Sequence, residues 1–157
     1  MKIASCFAVA AAAALLAVAD FAVAEDSLVN RLERGQKTFE SACSSCHEID
    51  KPLSKDMDRI LWEATLIQMT GRGADISSED KALITDYLTA RFTFAGKCTV
   101  CHTREQVYDR EKTLAGWEKT VAGMAKKQPG LISEAEARVI IAYLTLVLGR
   151  APSFSGE

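Results

Sequence analysis

From residue 26 onward, apolar residues recur every three or four positions and never in strict alternation, which is the spacing of helices buried along one face. Leu28, Leu32 and Phe39 predict a first helix over roughly Ser27 to Ser41, capped by Asp26 or Ser27. Leu61, Trp62, Leu66 and Met69 share one face of a second. Ser77-x-x-Asp80 resembles a capping box, with Asp in place of the usual Glu or Gln, and opens a third helix through Leu83, Ile84, Tyr87 and Leu88. Trp117, Val121 and Met124 define a further amphipathic face. Ser133-x-x-Glu136 is a second box, opening a very apolar final helix that runs through Val147. Gly71, Gly73 and Pro129-Gly130 break the chain after the helices that carry Met69 and Met124. The expected fold class is therefore all-α.

The pattern ahead of residue 26 is different. Lys2 gives a positive start, Ala8 to Val18 is an unbroken apolar run, and Ala22-Val23-Ala24 is a small-x-small cleavage site. Residues 1–24 are read as a signal peptide, cleaved after Ala24, that directs the chain to the periplasm. As a membrane anchor, Ile3 to Ala19 would be barely long enough, and Ala dominates where Leu or Ile is expected. No stable membrane insertion is expected after cleavage. Loss of Lys2 and Asp20 leaves the formal charge at -2, and nothing suggests a nucleic-acid-binding surface. Cys6 precedes the apolar run and is read as incidental.

All remaining Cys and His residues fall in two motifs, Cys43-Ser44-Ser45-Cys46-His47 and Cys98-Thr99-Val100-Cys101-His102, offset by 55 residues. The repeat extends beyond them. Phe94 matches Phe39, Ala90 replaces Gly35, Trp117 matches Trp62, Glu118 matches Glu63 and Met124 matches Met69. After one inserted residue, Ile132-Ser133 matches Ile76-Ser77 and Tyr143-Leu144 matches Tyr87-Leu88. The chain thus reads as a tandem of two units, 25–90 and 91–157. Only nine residues, Thr89 to Lys97, separate Leu88 from Cys98, so a full helix does not fit ahead of the second motif. The helix that starts near Ser78 is expected to continue to about Phe92 and to serve both units in one compact body.

In C-x-x-C-H the two thiols add across haem vinyl groups, and the adjacent His is placed to coordinate iron. Two haem c groups are therefore expected, held by Cys43 and Cys46 and by Cys98 and Cys101, with His47 and His102 on iron. A zinc site would bring its second ligand pair within about 20 residues, whereas 51 residues separate Cys46 from Cys98. A disulfide would leave the repeated His unexplained. With no third His in the mature chain, bis-histidine ligation within one chain is excluded, and Met thioether is the strong remaining donor. Of Met57, Met69 and Met124, the last two map onto each other, each 22 residues after its His. They are the expected axial ligands, the alternative being two core methionines on amphipathic helices. Trp62 and Trp117 precede them by two helical turns. Phe39 and Phe94 stand one turn before each first Cys. All four aromatic residues are expected to pack against haem, and each could equally be ordinary core. Gly35 would allow a close helix crossing.

The run Gly-x-x-x-Phe-x-x-x-Cys-x-x-Cys-His, followed by a Met-bearing segment and a terminal Tyr-Leu helix, resembles the class I cytochrome c family. The Trp62 to Met69 segment and its Trp117 to Met124 copy are similar to bacterial di-haem cytochromes and to di-haem domains of some periplasmic dehydrogenases. The resemblance implies a helical fold with His and Met on each iron. Such an iron has both axial positions filled, which suits electron transfer and not catalysis, so the chain is not expected to be an enzyme. Its partners would be redox proteins: a dehydrogenase, a membrane electron-transfer complex or a terminal acceptor. It could act as a free shuttle or as the cytochrome subunit of a dehydrogenase. The rival reading is a haem enzyme or sensor, peroxidase-like, with one open axial site. The apolar final helix is expected to be buried against the first, a docking surface being the alternative.

Overall fold

The computed structural model describes residues 27–149. The signal peptide expected at 1–24 and the Asp26 cap lie outside the described residues. The described residues are all-α: α1 (27–43), α2 (Asp50–Leu53), α3 (Arg59–Gly71), α4 (Ser78–Cys98), α5 (Arg104–Tyr108), α6 (Leu114–Lys127) and α7 (Glu134–Leu148). Their single β contact is an isolated parallel bridge between Lys112 and Gly149.

The helix starts follow from local hydrogen bonding. Ser77 Oγ accepts the Asp80 N–H at 3.1 Å while Asp80 Oδ2 accepts the Ser77 N–H at 3.3 Å, so the box with Asp closes from both sides. Ser133 and Glu136 make the same exchange at the head of α7. Three starts went unread in the sequence: Asp58 caps α3, Thr103 with Gln106 forms a box on α5, and Thr113 caps α6. Each satisfies N–H groups that a helix otherwise leaves orphaned, typically stabilising by about 1 kcal/mol. Gly73 and Gly130 adopt φ of +100° and +85°, where a side chain would be strained, and so turn the chain out of α3 and α6.

Two helices outrun their expected ends. α1 continues to Cys43, past Ser41. α4 continues to Cys98, six residues past Phe92, for a length of 21 residues. Gly96 weakens this last stretch locally, but Ala90, Phe94 and Ala95 are buried along it, and that burial offsets the low propensity. The boundary between residues 90 and 91 therefore falls inside an unbroken helix.

The N-terminal half of α4 lies against α1 and α3. A Cβ at Gly35 would stand 2.3 Å from the Leu83 carbonyl oxygen, so the α1 and α4 backbones approach as only glycine permits. Asp86 accepts from Arg31 at 2.5 Å and from Arg59, joining α1, α3 and α4 at a half-open edge. The C-terminal half of α4 lies against α7, where Phe94 meets Tyr143. Lys97 donates to the Leu131 carbonyl at 2.9 Å and pairs with Glu136 at 3.0 Å, tying the end of α4 to the start of α7. Ile140 to Leu144 of the apolar final helix are buried, and it packs against α4 and α6, where contact with the first helix is the expectation. One hydrophobic cluster runs from Leu32 and Phe39 through Trp62, Leu66, Ile84 and Phe94 to Trp117, Val121 and Leu144.

Candidate functional site

The second motif begins on the last residue of α4. Cys98 is therefore aimed by the longest helix among the described residues, and the His102 N–H returns to the Cys98 carbonyl at 3.2 Å, folding Thr99 to Cys101 into a tight turn. α6 stands across from this turn. Trp117, Val121 and Met124, at positions i, i+4 and i+7, fall on one face of it.

Between them lies a cavity of about 580 Å³, within the range of small-molecule and cofactor sites. Cys98, Cys101, His102, Trp117 and Met124 all line it, so five of the six residues nominated in the second unit converge on one space. Val107 from α5, Leu144 from α7 and Ile132 from the connecting loop complete an apolar wall. Lys97, Arg110, Lys112 and Lys127 add four cations, and no carboxylate lines the cavity. Phe94, the sixth nominee, is not part of this lining: it is fully buried, with its ring against Tyr108 and Tyr143.

The first motif is placed in the corresponding way. Cys43 ends α1, half-buried against the core cluster together with Ile49, Leu53 and Met57. Cys46 is exposed and His47 half-buried, its Nδ1 3.2 Å from the Glu48 carbonyl. Trp62 and Leu66 are buried on α3, Met69 is half-buried one turn further on, and Phe39 is buried against Tyr87.

The four cysteines of the two motifs are free thiols. Burial pushes the Cys98 thiol up to about 11 and raises that of Cys43. Burial thus keeps both of these thiols protonated at neutral pH. Among the described residues, no group of three His, Cys, Asp or Glu side chains is arranged to hold a bare metal ion.

Two further atoms bear on what the sites hold. The indole N–H groups of Trp62 and Trp117 are both buried and both lack a hydrogen-bond partner. An unsatisfied buried donor costs about 1–3 kcal/mol, and here the same defect recurs at matched positions of the repeat. A ligand with an acidic edge and a broad apolar body would satisfy the indoles, fill the apolar wall and meet the cations. Haem c, with two propionates on a flat macrocycle and two vinyl groups for the thiols, has that composition. The donor set fits as well: one imidazole and one thioether line the same cavity.

Neither a family model, nor a curated protein, nor a solved structure matches this chain.

Proposed function

We propose that the chain is an exported di-haem c-type cytochrome of the class I kind that carries electrons between redox proteins in the periplasm. The convergence of Cys98, Cys101, His102, Trp117 and Met124 on one cavity carries this reading, because those residues are drawn from across 27 positions of sequence. Cys43 and Cys46, and Cys98 and Cys101, would hold the two groups through thioethers. His47 with Met69, and His102 with Met124, would supply the iron ligands.

When bound, haem iron supplies a reversible one-electron change between Fe(II) and Fe(III). His47 with Met69, and His102 with Met124, would hold the iron with the protein's own side chains and so would leave no place for substrate. Trp62 and Trp117 would donate their free indole N–H groups to the acidic edge of each group. The apolar walls exclude water, and thioether ligation in such a pocket favours the reduced state relative to bis-histidine ligation. The uninterrupted α4 is the natural element for the two units to share, its first half belonging to one and its last turn to the other. No helix among the described residues is long and apolar enough to cross a membrane.

The test is expression of the full chain with a cytochrome c maturation system, followed by intact mass and visible spectroscopy. The mass should correspond to cleavage after Ala24 plus two covalent haems, and the oxidised protein should show the weak far-red band of sulfur-ligated low-spin iron. Met69→Ala and Met124→Ala should each abolish half of that band and leave both haems attached. A chain that matures without haem, or retains zinc instead, would overturn the reading. A high-spin component in the unaltered protein would point to the enzyme or sensor alternative.

A further inference from the structure

The cavity of the second unit contains a cation that the first unit lacks. Lys112 lines it, with Nζ 5.3 Å from the centre of the Trp117 ring. Its ammonium is held by the Thr120 hydroxyl at 2.6 Å, and its backbone is fixed by the bridge to Gly149 at the end of α7. The repeat places Met57 at the corresponding position of the first unit.

The other charges can be compared along the same register. Arg110 and Lys127 have Lys55 and Arg72 as counterparts, so their charges are matched. Lys97 replaces Ala42; it is paired with Glu136 at 3.0 Å, but Glu136 is itself matched by Asp80 in the first unit, so Lys97 is a second added cation, acting in the same direction as Lys112 from within an ion pair. Two differences remain besides Lys97 and Lys112. Lys51 stands where the second unit has Gln106, and Asp75 where it has Leu131. Both Lys51 and Asp75 are exposed and opposite in sign, so water and salt screen them and they oppose each other. Lys112 is half-buried against an indole and is screened far less.

We infer that Lys112 makes the second site the higher-potential one of the two, so that an electron shared by the protein resides there in preference to the first. This rests on the proposed di-haem reading. The oxidised group carries one more positive charge than the reduced group, and a fixed cation in the cavity disfavours that extra charge. Compensation of a propionate by the same ammonium would act in the same direction. A single charge about 10 Å from the iron at an effective dielectric constant of about 20 is worth on the order of tenfold in the equilibrium between the sites, which corresponds to ~59 mV for one electron.

The experiment is a spectroelectrochemical titration of the full di-haem protein, compared with Lys112→Met, Lys112→Arg and Met57→Lys. The unaltered protein should show two one-electron waves. Lys112→Met should lower the upper wave by about the stated amount and leave the other in place, whereas Lys112→Arg should keep it, because the charge remains. Met57→Lys should raise the lower wave, and it tests the idea even if Lys112→Met fails to fold. The inference is overturned if Lys112→Met moves neither wave or moves the lower one. It is also overturned if Lys112→Arg shifts the wave as much as Lys112→Met, or if Met57→Lys is silent. Any of these results in a protein with two low-spin haems would leave the functional reading intact. Absence of haem would defeat that reading first.

Discussion

Phe94 and Tyr143 pack ring to ring with their centroids 5.4 Å apart, joining the end of α4 to the middle of α7. The contact is part of a continuous file. Tyr143 meets Tyr87 at 6.3 Å, and Tyr87 meets Phe39 at 5.7 Å. Phe39 and Phe94 each stand one turn before the first cysteine of a motif, so the file connects the approaches to both candidate sites through the core.

The two halves should therefore unfold together. Thermal unfolding followed by near- and far-UV circular dichroism is expected to give one coincident transition. Limited proteolysis between Ala90 and Lys97 should yield no pair of stable halves. Tyr143→Ala removes a ring that touches both halves, and it should cost about 3–5 kcal/mol in a denaturant titration. Two resolved transitions would contradict the shared helix.

Glycine substitutions should have opposite signs at two positions. Gly35→Ala would drive a methyl group onto the Leu83 carbonyl, and is expected to destabilise by about 1–3 kcal/mol through overpacking. Gly123→Ala meets nothing within 4 Å inside α6, where Gln68 already supplies a side chain at the matched position of α3. It should stabilise by about 0.5–1 kcal/mol through helix propensity. Denaturant midpoints of the two variants decide the matter.

Acid should loosen the junction between α4 and α7. The Ser133 N–H, then Lys97 and the Ser133 hydroxyl, lower Glu136 from 4.5 to about 2. A carboxylate depressed in the folded state contributes stability above its ordinary pKa and loses it as pH falls toward the folded value. The melting temperature should accordingly fall between about pH 4.5 and 2. Glu136→Gln keeps the cap geometry and removes the titration, so its melting temperature should change less across that window.

The matched tryptophans offer a test of what satisfies them. If each indole donates to a bound acidic group, Trp62→Phe and Trp117→Phe should each destabilise the haem-loaded protein by about 1–3 kcal/mol beyond the change in packing. Loss of a donor that has no partner would instead relieve the cost of burying it and stabilise on the same comparison. Hydrogen–deuterium exchange or resonance Raman of the indole N–H gives an independent readout.

Much of this architecture is legible in local sequence. The boxes at Ser77 and Ser133 close within three residues, and the Trp62, Leu66 and Met69 face of α3 and that of α6 follow from a spacing that one turn imposes. Leu61, expected on the same α3 face, is instead exposed, because it lies about a hundred degrees around the helix from Trp62. The turns at Gly73 and Gly130 need only the missing Cβ. The duplication is equally visible, and it nominated Met69 and Met124 by symmetry. The short helices α2 and α5 and the caps at Asp58, Thr103 and Thr113 are not legible in the sequence, because single polar residues are common and a four- or five-residue helix carries little periodicity.

By itself, then, the sequence determined the all-α class, the two C-x-x-C-H motifs, the repeat and the starts of α4 and α7. These depend on hydrogen bonds and side-chain spacing within a few residues. Only the tertiary structure decided that α4 continues through Gly96 to deliver Cys98, because the burial of Phe94 and Ala95 comes from partners far along the chain. It alone set Lys112 over Trp117, left both indole N–H groups without partners, and put Phe94 in the core away from the cavity. Those outcomes depend on which distant surfaces meet, and no local pattern encodes them.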